Sequence, residues 1–201
     1  AYLEEKLWMA LFHHPQLSTF WETELGQEHW SSLHDLIPRT WVLDSTPPPP
    51  HTVIPDLALS GKQVSTWDDF KKCTKKEREL VVKPSGFSDL AYHSKGVTSG
   101  HDEPEQVWSD ALSTALDSFP DNPYLLQAFH KAARIEAHYY DFHSASMLTM
   151  HGRALLRPYY FVHDGQPELA GMQAIVCPAD KKILHGMTDA VLMPCAVSDD
   201  R

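Results

Sequence analysis

The chain of 201 residues has no apolar stretch approaching the ~18–20 residues that a membrane-crossing helix needs. Its longest uncharged apolar runs are short, as in Ala190–Val197. The opening residues are acidic and amphipathic rather than basic and then apolar, so no secretory leader is expected. The chain opens on Ala1 rather than Met, and a trimmed N-terminus is expected. Cysteine is scarce. Cys73, Cys177 and Cys195 are far apart and odd in number, and no C-x-x-C occurs. That pattern reads as reduced thiols of a cytoplasmic protein, not a disulfide framework. Cys177 and Cys195 lie in apolar runs, where cysteine serves as a small core residue. Positive charge is also short: 17 Lys and Arg against 27 Asp and Glu leave a formal charge of −10. This argues against general binding of nucleic acid or anionic membranes. ATP is not excluded, because its phosphates need only a local basic pocket.

Motifs are missing as well. There is no G-x-x-x-x-G-K-[ST] phosphate loop and no G-x-S-x-G elbow of a serine hydrolase. The 13 histidines suggest metal, but neither His13/His14 nor His138/His143 has the i, i+4 spacing of a helical zinc site. No cysteine or carboxylate joins either pair in a recognisable pattern. They read as scattered solvent or core histidines, and Tyr139, Tyr140 and Phe142 as packing residues.

What is present is an ordinary globular composition, 42% hydrophobic and 22% charged, with 15 prolines gathered at joints. Residues 3–37 read as helical, with Leu3, Leu7, Trp8 and Leu11 at helical spacing. Leu17, Phe20 and Trp21 continue after Pro15, and Leu33, Leu36 and Ile37 close a third apolar face. Thr40–Leu43 is a short strand. Pro47–Pro50 is a polyproline joint. Trp67–Glu79 reads as a charged helix whose Lys71, Lys72, Lys75 and Lys76 face solvent. Leu80–Val82 is a buried strand halted by Lys83–Pro84, and Ser85–Gly100 is a loop. A helix follows, with Asp102 as cap, Glu105 completing a capping box and Pro104 in the first turn. Its buried face runs from Val107 and Trp108 to Phe119, and Pro120 ends it. Tyr124–Phe129 is a second buried strand. Arg153–Val162, an Asp164–Gly165 turn, Leu169–Cys177, Ile183–His185 and Ala190–Met193 read as an antiparallel meander. The fold class is α+β. Three segments follow: 1–46 helical, 47–78 a Pro-rich joint with a charged helix, and 79–201 an α+β region.

The segment Leu80-Val-Val-Lys-Pro-Ser-Gly-Phe-Ser carries the clearest chemistry. Lys83 ends a buried strand, which sets its charge where the sheet meets solvent. The Ser and Gly residues behind it offer backbone N–H groups, and both devices attract phosphate. An ordinary surface loop is the alternative.

The order of features around it resembles the ATP-grasp superfamily, in the circularly permuted branch that includes glutathionylspermidine synthase. Val81-Val82-Lys83-Pro84, its loop and Gly96-Val97 look like that family's strand lysine and phosphate-covering loop. Tyr124-Leu-Leu-Gln127-Ala-Phe129 resembles the strand and linker that grip adenine. Glu5-Lys6-Leu7 through His14-Pro15-Gln16-Leu17 is similar to the family's Asn-Lys segment and later His-Pro. Leu36-Ile37-Pro38-Arg39-Thr40, Arg157-Pro158-Tyr159-Tyr160-Phe161 and Gly171-Met172-Gln173 complete the order. The resemblance implies that Lys83 contacts the α- and β-phosphates and that Lys6 is a second cation. It implies that Ser85, Gly86, Ser88, Lys95 and Gly96 line the closing loop and that Gln127 and Phe129 frame adenine. Arg157 would steady an acyl-phosphate or the transferred phosphoryl group.

The sequence departs from the family at three places: Glu5 replaces its Asn, the loop is poor in glycine, and Glu-x-Asn is absent. Asn122 is the sole asparagine, and magnesium would need carboxylate oxygens. The chain is thus expected to be the C-terminal part of a longer protein, with its magnesium ligands outside it and little activity alone. The full protein would be an ATP-dependent carboxylate–amine ligase acting on a small-molecule or peptide substrate. The alternative is a non-catalytic binding or interaction domain on the same scaffold.

Overall fold

A computed structural model describes residues 5–91, 95–181, 184 and 189–196. The fold is α+β with antiparallel sheets, and the chain divides into two compact units, 1–130 and 131–201. The boundary falls inside the segment 79–201, after the second buried strand has closed the first unit's sheet.

The helical start is broken where the sequence requires it. Helix α1 (Leu7–Phe12) ends before Pro15, with His14 in extended backbone at ψ 124°, as the residue before a proline prefers. A 3-10 turn, Pro15–Leu17, leads into α2 (Ser18–Leu25). Gly26, at φ +76°, then turns the chain into α3 (Gln27–Leu36); that left-handed region is costly to residues with a Cβ.

Strand β1 (Thr40–Leu43) matches the expected strand. Next comes a small hairpin, β2 (Ala58–Leu59) with β3 (Lys62–Gln63), turned by Ser60 and Gly61 at positive φ. The charged helix expected over Trp67–Glu79 is corrected to a 3-10 helix of six residues, Trp67–Lys72, capped reciprocally by Thr66 and Asp69. The carbonyl that would continue the helix is taken: Phe70 O accepts from Trp108 Nε1 at 2.8 Å and from Cys73 Sγ at 3.0 Å. Thr74 N turns instead to the Glu77 carboxylate at 2.9 Å. Lys75 and Lys76 therefore lie outside any helix.

Strand β4 (Leu80–Pro84) carries through the proline expected to halt it, and β5 (Thr98–Ser99) is a short strand within the expected loop. Helix α4 (Glu105–Asp117) starts later than expected, with Pro104 at the cap position and no side-chain cap. The Asp102 and Glu103 amides bond to Ser99 O at 3.1 and 3.2 Å, so Asp102 belongs to a turn after β5. The helix also ends at Asp117, before Pro120. Strand β6 (Tyr124–Ala128) completes a four-stranded antiparallel sheet in the order β1-β6-β4-β5.

Side chains alternate across these strands. Leu80, Val82, Tyr124, Leu126 and Leu43 form one core with Phe70, Trp108, Leu112 and Ala115. Trp108, Leu112 and Ala115 share one face of α4, and each fully buried large apolar side chain contributes about 1.5–3 kcal/mol. The opposite face presents Thr40, Gln127 and Lys83 toward α1, which contacts β1 and β6. One face of the sheet holds the apolar core, and the other presents the polar residues singled out by the sequence.

The second unit is a meander of four strands in the order β10-β9-β8-β7. These are β7 (Arg134–Asp141), β8 (Ser146–His163), β9 (Gln166–Pro178) and β10 (Val191–Cys195). Asp164 and Gly165, both at positive φ, make the tight β8–β9 turn, the backbone that two-residue hairpins favour. The expected strand Ala190–Met193 is β10, while Ile183 and His185, the bounds of another, lie outside the described residues. Strand β7 was not anticipated; its Arg134, Glu136, His138 and Tyr140 face is exposed, and Ala137, Tyr139 and Asp141 on the other face are half-buried. Tyr140 and Phe142, expected to pack, are 48% and 88% exposed. Among the described residues no helix is long and apolar enough to cross a membrane.

Candidate functional site

Antiparallel pairing places Lys83 opposite Leu125 and Val81 opposite Gln127. Lys83 and Gln127 are therefore diagonal neighbours on one face. The Lys83 ammonium donates to Gln127 Oε1 at 2.6 Å. Gln127 Nε2 donates to Thr40 Oγ1 at 2.9 Å and lies 3.3 Å from Met9 Sδ. Thr40 Oγ1 in turn donates to Pro38 O at 2.7 Å. Three strands and α1 thus fix the orientation of the amide that holds the lysine. Burial pushes the Lys83 pKa below its ordinary value, and the positive charge of Lys6 pushes it further down. Among the described residues, no carboxylate pairs with either ammonium.

The Ser85–Gly86 turn follows directly. Ser85 is buried, and its hydroxyl donates to Glu5 Oε2 at 2.6 Å. Gly86 N–H donates to Glu5 Oε1 at 3.3 Å, and Lys6 and Leu7 N–H donate to the same oxygen at 2.7 and 2.9 Å. Burial raises the Glu5 pKa, but these hydrogen bonds, led by that from Ser85, outweigh it and hold the carboxyl below its ordinary range.

The remaining loop residues are less directly placed. The Ser88 hydroxyl accepts from Leu90 N at 3.2 Å and so shapes its own turn. Gly96 sits where a Cβ would lie 2.8 Å from Pro84 Cγ and 3.0 Å from Leu90 Cβ. Glycine is needed there for close approach, and it ties the loop's return to the end of β4. Lys95 is exposed, and residues 92–94 of the expected loop lie outside the described residues. Phe129 is half-buried after β6, and its N–H bonds to Glu79 O at 3.0 Å, while Ala128 N–H bonds to Arg39 O at 2.8 Å. Both amides are thus engaged by neighbouring backbone carbonyls. Arg157 is half-buried on β8, in the second unit.

The sequence did not reveal a cavity in the first unit. A cavity of about 650 Å³ is lined by Trp41, Ile54, Trp67, Leu116 and the Pro47–Pro49 run, with Thr40 at its border. Lys83 and Gln127 do not line it. Its one signal was the polyproline run, which read only as a joint. His13 is a core histidine: its Nε2 lies 2.9 Å from Ile37 O and its Nδ1 3.3 Å from Arg39 Nη1. Burial lowers its pKa, and the Arg39 and His34 charges add to that.

Chemically, the Lys83 end of the sheet holds an ammonium on a neutral amide with Lys6 acting on it, while the nearby hydroxyl and amide donors of Ser85 and Gly86 already serve the Glu5 carboxylate. Among the described residues, no group of three or more His, Cys, Asp or Glu is placed to hold a metal ion. Comparison of the chain with family models, curated proteins and solved structures returns no match.

Proposed function

We propose that the Lys83 end of this sheet binds the phosphates of ATP, and that the chain is the nucleotide-binding part of an ATP-grasp-like carboxylate–amine ligase. The observation that carries this reading is the state of Lys83. A half-buried ammonium held by a neutral amide, beside a second lysine and paired with no carboxylate among the described residues, is electrostatically unfavourable. An anion relieves it, because opposite charge favours the charged form of both lysines. Phosphate is favoured over a carboxylate ligand because it offers several acceptor oxygens to several donors at once. ATP in particular is suggested by the resemblance in element order, from β4 through its loop and α4 to Gln127.

In the full protein, a substrate carboxylate oxygen would attack the γ-phosphorus and release ADP. The substrate amine would then attack the acyl carbon, phosphate would leave, and the amine proton would pass to solvent. Lys83 and Lys6 would hold phosphate charge, and Gln127 would orient Lys83. Such catalysis rests on positioning and charge stabilisation rather than on a protein nucleophile. Magnesium, when bound with ATP, would neutralise phosphate charge, and its carboxylate ligands would come from outside this chain.

Calorimetric titration with ATP and magnesium, on this chain and on a longer form, tests the reading. Lys83→Ala is expected to abolish measurable binding while leaving the fold intact. Equal binding by Lys83→Ala, or no binding by the longer form, would overturn it. A second reading, a non-catalytic binding module, is favoured by the Glu5 carboxylate lying on the Ser85 and Gly86 donors. ATP binding by the longer protein without phosphate release in the presence of candidate amines and acids would select it.

A further inference from the structure

The Glu5 carboxylate sits in the most densely bonded position of the candidate site. Its two oxygens accept from Ser85 Oγ, Gly86 N, Lys6 N and Leu7 N at 2.6, 3.3, 2.7 and 2.9 Å. Ser85 lies 80 residues away in sequence, so the bond is a tertiary latch between the segment before α1 and the loop after β4. Ser85 is itself 2% exposed, so its hydroxyl is not replaceably solvated. Glu5 directly precedes Lys6, yet its carboxylate is turned to the loop and pairs with neither Lys6 nor Lys83.

A buried hydroxyl and a glycine amide at the end of a lysine-bearing strand are donors suited to a phosphate oxygen. Here they hold an anion that belongs to the chain. Resting on the phosphate reading above, we propose that Glu5 is a built-in competitor for the phosphate: a bound ligand takes over the Ser85 and Gly86 donors and displaces the carboxylate. The ligand class this selects is a polyphosphate. Exchange leaves the carboxylate close to the incoming anion, so a ligand must bring enough charge to both lysines to offset that repulsion. Glu5 therefore sets both the affinity and the minimum charge of the ligand.

Pyrophosphate titrated calorimetrically into the 201-residue chain, with Glu5→Gln and Lys83→Ala beside it, tests the proposal. Glu5→Gln keeps the shape and removes the charge, and it is expected to bind about tenfold tighter, toward the water-screened end of the range for one charge–charge interaction. Lys83→Ala is expected to bind much more weakly. If Lys83→Ala weakens binding while Glu5→Gln leaves it unchanged or weaker, the competitor role is overturned and the phosphate reading stands. If neither wild type nor Glu5→Gln binds pyrophosphate, both are overturned. Binding by Glu5→Gln alone supports both. Should Glu5→Gln fold poorly, carboxyl ¹³C resonances of wild type decide. The depressed titration of Glu5 should move up toward or beyond the ordinary range at saturating pyrophosphate, and an unchanged titration would overturn the displacement.

Discussion

Lys83 Nζ and Gln127 Oε1 lie 2.6 Å apart across the β4–β6 ladder, and this bond determines how costly the lysine is to the fold. Removing only the acceptor, as in Gln127→Leu, leaves the ammonium half-buried without that partner. The expected loss is about 1–3 kcal/mol in urea unfolding. Lys83→Met removes the charge itself and is expected to be neutral or stabilising at pH 7. The double variant should recover about 1 kcal/mol or more of the Gln127→Leu loss, since contacting residues couple. Simple additivity would contradict the account.

The same lysine gives a signed pH dependence. Its folded pKa lies below the ordinary 10.5, chiefly through burial and then through Lys6. Below the folded pKa, both folded and unfolded chains carry the proton, and the unfavourable charge is fully present. Between the folded pKa and 10.5 the unfolded chain binds more protons, so this group's contribution to stability rises with pH. Wild type is therefore expected to gain on Lys83→Met as pH is raised through that window. A stability difference between the two that stays flat up to pH 10.5 would contradict it.

Glu77 behaves in the opposite sense. Hydrogen bonds, led by the Ser60 hydroxyl and followed by Thr74, lower its pKa from 4.5 to about 2. Its contribution is present above 4.5 and lost as pH falls toward 2. Urea midpoints measured from pH 6 to pH 2 should show wild type above Glu77→Gln at the upper end, with the two converging at the acid end. The turn after Cys73 is where the effect should appear in amide exchange.

Trp108 is the residue that fixes the short helix above the core. It is fully buried, and its indole N–H reaches Phe70 O at 2.8 Å. Trp108→Phe deletes that bond and leaves a void, and it should cost ~2–4 kcal/mol. Unfolding in urea checks the value, and loss of protection over Trp67–Lys72 would identify the cause.

These residues also mark what the sequence could and could not disclose. The buried face of α4 and the β4 and β6 strands were legible because their apolar spacing matches the period of one element. So was the position of Lys83 at a strand end. The stop at Cys73 was not legible, because it depends on an indole 38 residues away bonding the Phe70 carbonyl. Strand β7 was missed although Ile135, Ala137 and Tyr139 alternate with Arg134, Glu136 and His138, because its inner face is only half-buried and carries few large apolar side chains. The Glu5–Ser85 latch spans 80 residues, and local reading saw only a glutamate where an asparagine was expected. The cavity beside Trp41 and Trp67 arises from a polyproline run folded against β1, a juxtaposition that no local pattern encodes.

The central claim is that phosphate binds at Lys83 rather than in the cavity lined by Trp41 and Trp67 in the same unit. Amide chemical-shift mapping of the isotope-labelled chain during titration with ATP tests it most directly. Perturbations are expected at Glu5–Leu7, Lys83, Ser85 and Gly86, and they should vanish in Lys83→Met. Perturbations centred instead on Trp41, Ile54 and Trp67, and retained in Lys83→Met, would contradict it.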